Sequence, residues 1–344
     1  MRPASLAAMM ALNLTVSGVL PASPLVDFPV ENHALATGNP EAFYMYVDRT
    51  FEGKKSSPWQ AGQFGYVRNP RRDANGEIVF TRLHEGIDIR PLRRDAKGNP
   101  LDPILAAAPG RIVHVNDQPG ASNYGRYVVI EHLWDGCRYY TLYAHLARTD
   151  VNPGESVRQG QPIGQLGFSG RGIDRERAHV HFEVTMLLSN NFESWHDAHF
   201  PGSPNHHGLF NGLNLVGINP ARLLLDARTN PNLKISKQIA REEPYFSLLI
   251  NDSPNFSLLR NYPWLVPNGE VANPPAWKVT FSRTGVPLKI EAAKERLTEP
   301  RAVWVKNTPY DTLHASKGLI TGPTSAPRLT ESGMRFARLL TWPD

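Results

Sequence analysis

The 344-residue chain reads as a mainly β protein, an antiparallel β-sandwich or open barrel followed by a small α+β domain. Three observations predict this. First, 30 prolines and 27 glycines interrupt the chain too often for long helices and supply many tight turns. Second, short alternations of apolar and polar residues recur between those interruptions, which is the period of a half-buried strand. Third, at about 150 residues per domain the length suits two cores rather than one. Hydrophobic residues at 41% and charged residues at 20% supply enough apolar surface to exclude general disorder.

Residues 1–23 combine Arg2, a mostly apolar stretch from Ala4 to Leu20 and the small residues of Pro21-Ala22-Ser23. This is the pattern of an export signal, so a periplasmic or extracellular location is expected. The single cysteine, Cys137, lies far from that stretch, so no lipid anchor is expected. Beyond residue 23 no run approaches the roughly 18 apolar residues of a membrane span, which predicts a soluble mature chain. The net charge of +5 is dispersed, with no basic block and no nucleic-acid-binding motif, so a nucleic-acid partner is not expected.

From about Phe51 to Met186, strands are expected at 104–107, 110–116, 126–132, 138–146 and 178–186. Residues 187 to about 215 read as a polar loop. Its His196, His199, His206 and His207 are expected to border a cleft rather than bind a second metal, because Pro201, Gly202 and Pro204 favour no fixed strand or helix. Trp195 and Phe200 are substrate-contact candidates there. Asn219-Pro220 then opens a short helix, with Asn as cap and Pro in the first turn. A boundary is expected near 230, separating a domain of 24–229 from an α+β domain of 230–344. The latter should hold strands at 276–283, 288–292 and 302–305 and a helix at 330–340. Trp264, Trp277, Trp304 and Trp342 are expected to be buried rather than to line a glycan-binding surface.

Three of the strands carry the chemistry. In Leu83–Ile89 a period of two places Leu83, Ile87 and Ile89 on one face and His84, Gly86 and Asp88 on the other. Gly86 should leave an opening between His84 and Asp88 through which a metal or substrate could approach. Ala178–Val184 repeats the pattern, with Val180, Phe182 and Val184 opposite His179, His181 and Glu183. In Tyr139–Leu146 the same rule sets Thr141, Tyr143 and His145 opposite Leu142, Ala144 and Leu146. One cysteine cannot build a thiolate site, so any metal must use imidazole and carboxylate. Two neutral imidazoles and one carboxylate suit Zn²⁺ and leave its fourth position open.

Several further segments accompany these strands. They are Gly62-Gln63-Phe64-Gly65-Tyr66-Val67-Arg68, Ala106-Ala107-Ala108-Pro109-Gly110-Arg111-Ile112-Val113 and Gln159-Gly160-Gln161-Pro162-Ile163-Gly164. Together with His84-Glu85-Gly86-Ile87-Asp88, Tyr143-Ala144-His145-Leu146 and Ala178-His179-Val180-His181-Phe182-Glu183, their order and spacing over residues 60–190 resemble the M23 family of zinc metallopeptidases. These are the lysostaphin-type or LytM-type endopeptidases that cut peptide cross-links in bacterial peptidoglycan.

The resemblance implies His84, Asp88 and His181 as ligands of one Zn²⁺ per chain, and His145 and His179 as a catalytic pair. It implies a zinc-activated water as nucleophile, one histidine of the pair as general base and the other as donor to the oxyanion. Glu183 is expected either to orient a histidine or to be a solvated charge. The substrate implied is a peptide stem or cross-bridge of peptidoglycan. The approach to His179, Gly167 to Arg177, is bulkier and more charged than the small Gly- and Ser/Thr-rich segment usual in the family, which bears on substrate preference. The rival reading is a catalytically inactive wall-binding regulator or activator of another cell-wall hydrolase. Such a protein would be expected to lose a ligand, whereas all five positions are present.

Overall fold

The computed structural model describes residues 24–45, 50–55, 61–73, 75–267 and 273–343. The expected export signal at 1–23 lies outside them. The fold is mainly antiparallel β. Its largest sheet runs in the spatial order Ser156–Val157, Gly110–Asn116, Arg126–Trp134, Cys137–Leu146, Val180–Leu187, Leu215–Ile218, with Ile87–Ile89 also paired to Val180–Leu187. Smaller two- and three-stranded sheets flank it, among them the hairpin of Gly65–Arg72 and Ile78–His84. No helix among the described residues is long and apolar enough to cross a membrane.

Alternation decides which face each side chain takes. Val128, Ile130, Tyr139, Tyr143, Val180, Phe182, Val184 and Met186 point into the main apolar core. Tyr127, Val129, Tyr140, Leu142, Ala144 and Leu187 form a smaller cluster on the other face. His181 lies directly opposite Ala144, and Glu183 opposite Leu142, so both sit on the face of the smaller cluster.

Two parts of the expected pattern are corrected. Thr141 and Tyr143 do not share a face with the site. Tyr143 is fully buried in the main core, where its hydroxyl accepts from Ala107 N at 2.9 Å and from Thr141 Oγ1 at 3.0 Å. His145 alone of that set reaches the site, because its backbone has φ of +66° and breaks the alternation. The second correction concerns 83–89, which is two strands rather than one. Ile78–His84 pairs in the hairpin, and Ile87–Ile89 pairs with Val180–Leu187. Between them Gly86 leaves no opening. A Cβ there would lie 2.5 Å from the Phe182 carbonyl oxygen and 2.9 Å from Glu183 Cγ. Glycine is needed because the chain presses against its neighbour strand.

The helix Pro220–Thr229 begins as its sequence predicts, with the Asn219 side chain accepting from Arg222 N and proline in the first turn. Residues beyond it build a four-stranded antiparallel sheet in the order Pro287–Ala293, Ala276–Ser282, Pro244–Asn251, Arg301–Val305. Helix Glu331–Thr341, capped by Thr330, packs on that sheet through Ala337, Leu339 and Leu340. This region shares one continuous apolar core with the large sheet. Polar contacts join the two as well. Tyr262 Oη accepts from Leu187 N at 2.9 Å, and Trp264 Nε1 donates to Tyr139 Oη at 3.1 Å. Trp277 is buried and donates to Asp252 at 2.6 Å, Trp342 donates to Ser194 at 3.1 Å, and Trp304 is exposed.

Gly86→Ala is therefore expected to destabilise the fold by about 2 kcal/mol, since the obstruction is a backbone carbonyl that cannot swing aside. Urea unfolding checks this: the midpoint should fall with the slope unchanged.

Candidate metal centre

Three elements deliver the donor set. Ile87–Ile89 buries its two isoleucines and turns Asp88 to the opposite face, directly across from His181 in the sheet register. His84 arrives from the end of the hairpin strand. All three residues are buried. His84 Nε2 lies 3.0 Å from His181 Nδ1 and 3.1 Å from Asp88 Oδ1, and His181 Nδ1 lies 3.0 Å from Asp88 Oδ1. Atoms bound tetrahedrally to one zinc at about 2.0–2.1 Å would be about 3.3 Å apart. The triangle is thus close to the size that a single small cation requires. Among the described residues it is also the one cluster of His, Cys, Asp and Glu compact enough to hold a metal.

The outer hydrogen bonds fix which atoms face inward. His84 Nδ1 donates to the Gln63 carbonyl at 2.7 Å, and His181 Nε2 donates to Glu183 Oε1 at 2.7 Å. The inner nitrogens of neutral rings are then lone pairs, facing each other and a carboxylate oxygen. Such a buried convergence of acceptors needs a proton or a cation between them. Asp88 is held from behind by Arg68, whose Nη2 donates to Oδ2 at 2.6 Å. Burial alone would raise the Asp88 carboxyl, yet the imidazoles of His84, His179 and His181 hold it well below the usual carboxylate range. Burial also lowers His84, which keeps that ring neutral.

His145 and His179 complete the group. His145 Nδ1 donates to the Ser169 carbonyl at 2.9 Å, and His179 Nδ1 donates to the Arg177 carbonyl at 2.6 Å. Their Nε2 atoms are left as acceptors, and His179 Nε2 is 3.4 Å from Asp88 Oδ1. The two rings are 4.8 Å apart at their centroids, and His145 is 5.9 Å from His181. Burial, with His179 and His181 nearby, holds His145 well below its ordinary value. Both carbonyls that orient this pair belong to the segment 167–177, which is where the sequence departs from the family pattern.

Glu183 is buried, not solvated, and accepts from Tyr124 Oη at 2.8 Å as well as from His181. Burial would raise it, but His181 and Tyr124 hold it below its ordinary range. Sequence reasoning missed the roles of Arg68 and Tyr124. Arg68 stands in a quoted segment, but nothing local ties it to Asp88. Tyr124 sits in a turn with no periodic signal.

The site opens into a cleft of about 1200 Å³ lined by His84, His145, His181 and Glu183 on one side and by Asp311, Leu313, His314 and Lys317 from the C-terminal region on the other. His207 also lines it, and its Nδ1 is 2.7 Å from Tyr127 Oη. The other loop histidines, His196, His199 and His206, do not line it, which corrects the expectation that they border the cleft. His196 and His199 lie on a helix, Phe192–His199, that the prolines and glycine following it do not prevent. Trp195 is buried on that helix, with Nε1 donating to the Arg335 carbonyl at 3.1 Å, and does not line the cleft.

Three converging side chains of His-Asp-His type could hold a metal and would leave one tetrahedral position open, which is the pattern of a catalytic rather than a structural zinc site. The chain belongs to peptidase family M23. Residues 82–192 match that family's sequence profile. The lipoprotein NlpD of Yersinia enterocolitica is 33% identical over 90 residues, 26% of this chain and 84% of that one. The peptidoglycan DD-endopeptidase ShyB of Vibrio cholerae is 37% identical over 121 residues, 34% of this chain and 24% of that one. The solved catalytic domain of lysostaphin from Staphylococcus simulans covers 38% of this chain and 86% of that one, at 26% identity and a TM-score of 0.25. Other curated relatives are much longer than the matched part: the chain spans 29%, 20% and 34% of three of them. Because several relatives are named lipoproteins, the similarity lends no support to the expected lack of a lipid anchor.

A cation bound by this set would be taken up in a pH-dependent way. Burial opposes protonation of His181, but Asp88 and Glu183 flank its two nitrogens and raise it to about 9. A cation entering near pH 7 must displace that proton, so affinity should increase with pH and level off above about 9. This window lies above the region near pH 6 set by an ordinary imidazole. Calorimetry of zinc binding in buffers of different ionisation enthalpy should find about one proton released per zinc at pH 7. An affinity that is flat between about pH 6.5 and 8.5 would remove His181 from this role.

Proposed function

We propose that this protein is a zinc-dependent endopeptidase that hydrolyses peptide cross-links of bacterial peptidoglycan. One observation carries the reading: His84 Nε2, Asp88 Oδ1 and His181 Nδ1 converge within about 3 Å of one another beside an open cleft that His84, His145 and His181 line, with His179 adjoining them. Membership of peptidase family M23 supports hydrolysis of a peptide bond, and relatives named peptidoglycan DD-endopeptidases support the substrate class.

Zinc held by these three residues would supply Lewis acidity, lowering the pKa of water and polarising the scissile carbonyl. The chain's own groups supply the rest. Asp88 stays ionised because three imidazoles surround it and Arg68 grips its other oxygen. Glu183 fixes the orientation of the His181 ring, and Tyr124 fixes Glu183. His145 is held neutral, so its Nε2 is free to accept a proton. His179 presents Nε2 to the same space. Because both Nδ1 atoms donate to carbonyls, one of the pair accepts the proton of the nucleophile at Nε2, and the imidazolium so formed then donates that proton to the leaving amine, with the other ring orienting the reacting groups beside it.

The roles are separable by mutation. His181→Ala is expected to abolish zinc binding and turnover together, whereas His145→Ala should keep about one zinc per chain and lose at least about 100-fold in turnover. Zinc content by atomic absorption and release of new amines from purified peptidoglycan check both. Equal loss of metal in the two variants would overturn the division of roles. A metal-free and inactive wild type would favour the reading as a wall-binding regulator. Mass spectrometry of digested muropeptides names the bond cut.

A further inference from the structure

The cleft is rich in charge, and most of that charge is already neutralised. Arg68 is committed to Asp88 at 2.6 Å, and Arg71 to Asp311 at 2.8 Å. Lys317 approaches Glu85 at 3.7 Å, and Glu183 is taken by His181 and Tyr124. Two cations that line the same cleft remain, Arg82 and Arg171. Both are exposed, and neither makes an ion pair or hydrogen bond with any described residue.

Arg82 stands at a position that costs stability. It lies directly opposite Arg68 in the hairpin register, and like charges in that relation repel. Asp88, the carboxylate that Arg68 reaches, bonds Arg68 and not Arg82. Arg82 is also two residues before the ligand His84 on one strand, so the two share a face about 7 Å apart along the chain. Arg171 comes from segment 167–177, whose Ser169 and Arg177 carbonyls orient His145 and His179. Both arginines therefore belong to the segments that carry or orient the reacting groups: Arg82 to the strand of His84, and Arg171 to the loop that holds His145 and His179.

We propose that Arg82 and Arg171 are specificity-determining residues that bind a free carboxylate of the substrate, so that the enzyme selects acidic peptides with a carboxylate within a residue or two of the bond cut. This rests on the peptidase reading above and deepens it. A guanidinium matches a carboxylate in two parallel hydrogen bonds, and a walled cleft weakens solvent screening of that contact. The internal pairing of the other cleft charges leaves these two to read the sign of the ligand. A neutral or cationic peptide would leave both arginines unmatched.

The test uses the zinc-loaded full chain, a cross-linked muropeptide dimer with its free carboxylates, and the same dimer amidated at those carboxylates. Wild type should prefer the acid form by about tenfold or more in kcat/KM, with the preference expressed in KM and weakened by added salt. Arg82→Gln and Arg171→Gln should each bring the ratio towards one while keeping the zinc content. Arg82→Lys should restore part of it. Equal cleavage of the two dimers by wild type, or an undiminished preference in both glutamine variants, overturns the proposal and leaves the peptidase reading standing. Should zinc-loaded wild type cut neither dimer, the peptidase reading fails. Calorimetric binding of the two dimers then still decides the point, since equal affinities overturn the carboxylate site.

Discussion

Three buried acceptor atoms that face one another at about 3 Å set the terms for the rest of this molecule. Left uncompensated, such a group would cost several kcal/mol of desolvation and repulsion. The surrounding structure is arranged to hold it nonetheless. The Gln63 carbonyl and Glu183 fix the outer ring nitrogens, and Arg68 takes the second oxygen of Asp88. The sheet register places Asp88 across from His181, with Ile87 and Ile89 locked into the core on the opposite face. A shift by one residue would send the carboxylate into apolar packing and the isoleucines into the site. The register and the donor set therefore constrain each other.

The histidine pair beside this set depends on local backbone strain. His145 sits at φ of +66°, a conformation that costs a non-glycine residue about 1–3 kcal/mol. Ordinary alternation would have buried its ring beside Tyr143. The left-handed turn lifts it to the other face, and Leu146 resumes packing in the main core. The Ser169 carbonyl holds the turned ring, while Ser169 Oγ is itself tied to Arg126 N and the Leu146 carbonyl. One loop thus orients both histidines and carries Arg171 into the cleft.

The C-terminal region takes part in the site as well as in the packing. Arg283 lies between the rings of Tyr66 and Tyr310, 4.3 and 4.2 Å from their centroids, and Tyr66 Oη donates to the Arg283 carbonyl. These contacts clamp the region to the arginine-bearing hairpin, so that Asp311 and Lys317 form the far wall of the cleft and neutralise Arg71 and Glu85. The part of the chain that matches the family ends at residue 192, and this wall comes from outside it.

The sequence by itself determined most strands of the large sheet, the buried faces of 87–89 and 180–186, and the residue types of the donor set. Each of these is a local matter: period-two alternation, the cap of the 220–229 helix, and imidazoles and a carboxylate at matching positions. The Phe192–His199 helix is not legible because its segment is polar and rich in Asn and His, and its stability comes from packing on Trp342 and the C-terminal helix. Only the tertiary structure decided that Gly86 marks a close strand contact and that His145 turns against its own strand's parity. It also decided that Arg68, Tyr124 and the wall at 311–318 belong to the site. Those depend on which backbone lies within a few ångströms of which other, and pairing between residues 20 to 240 positions apart leaves no trace in local periodicity.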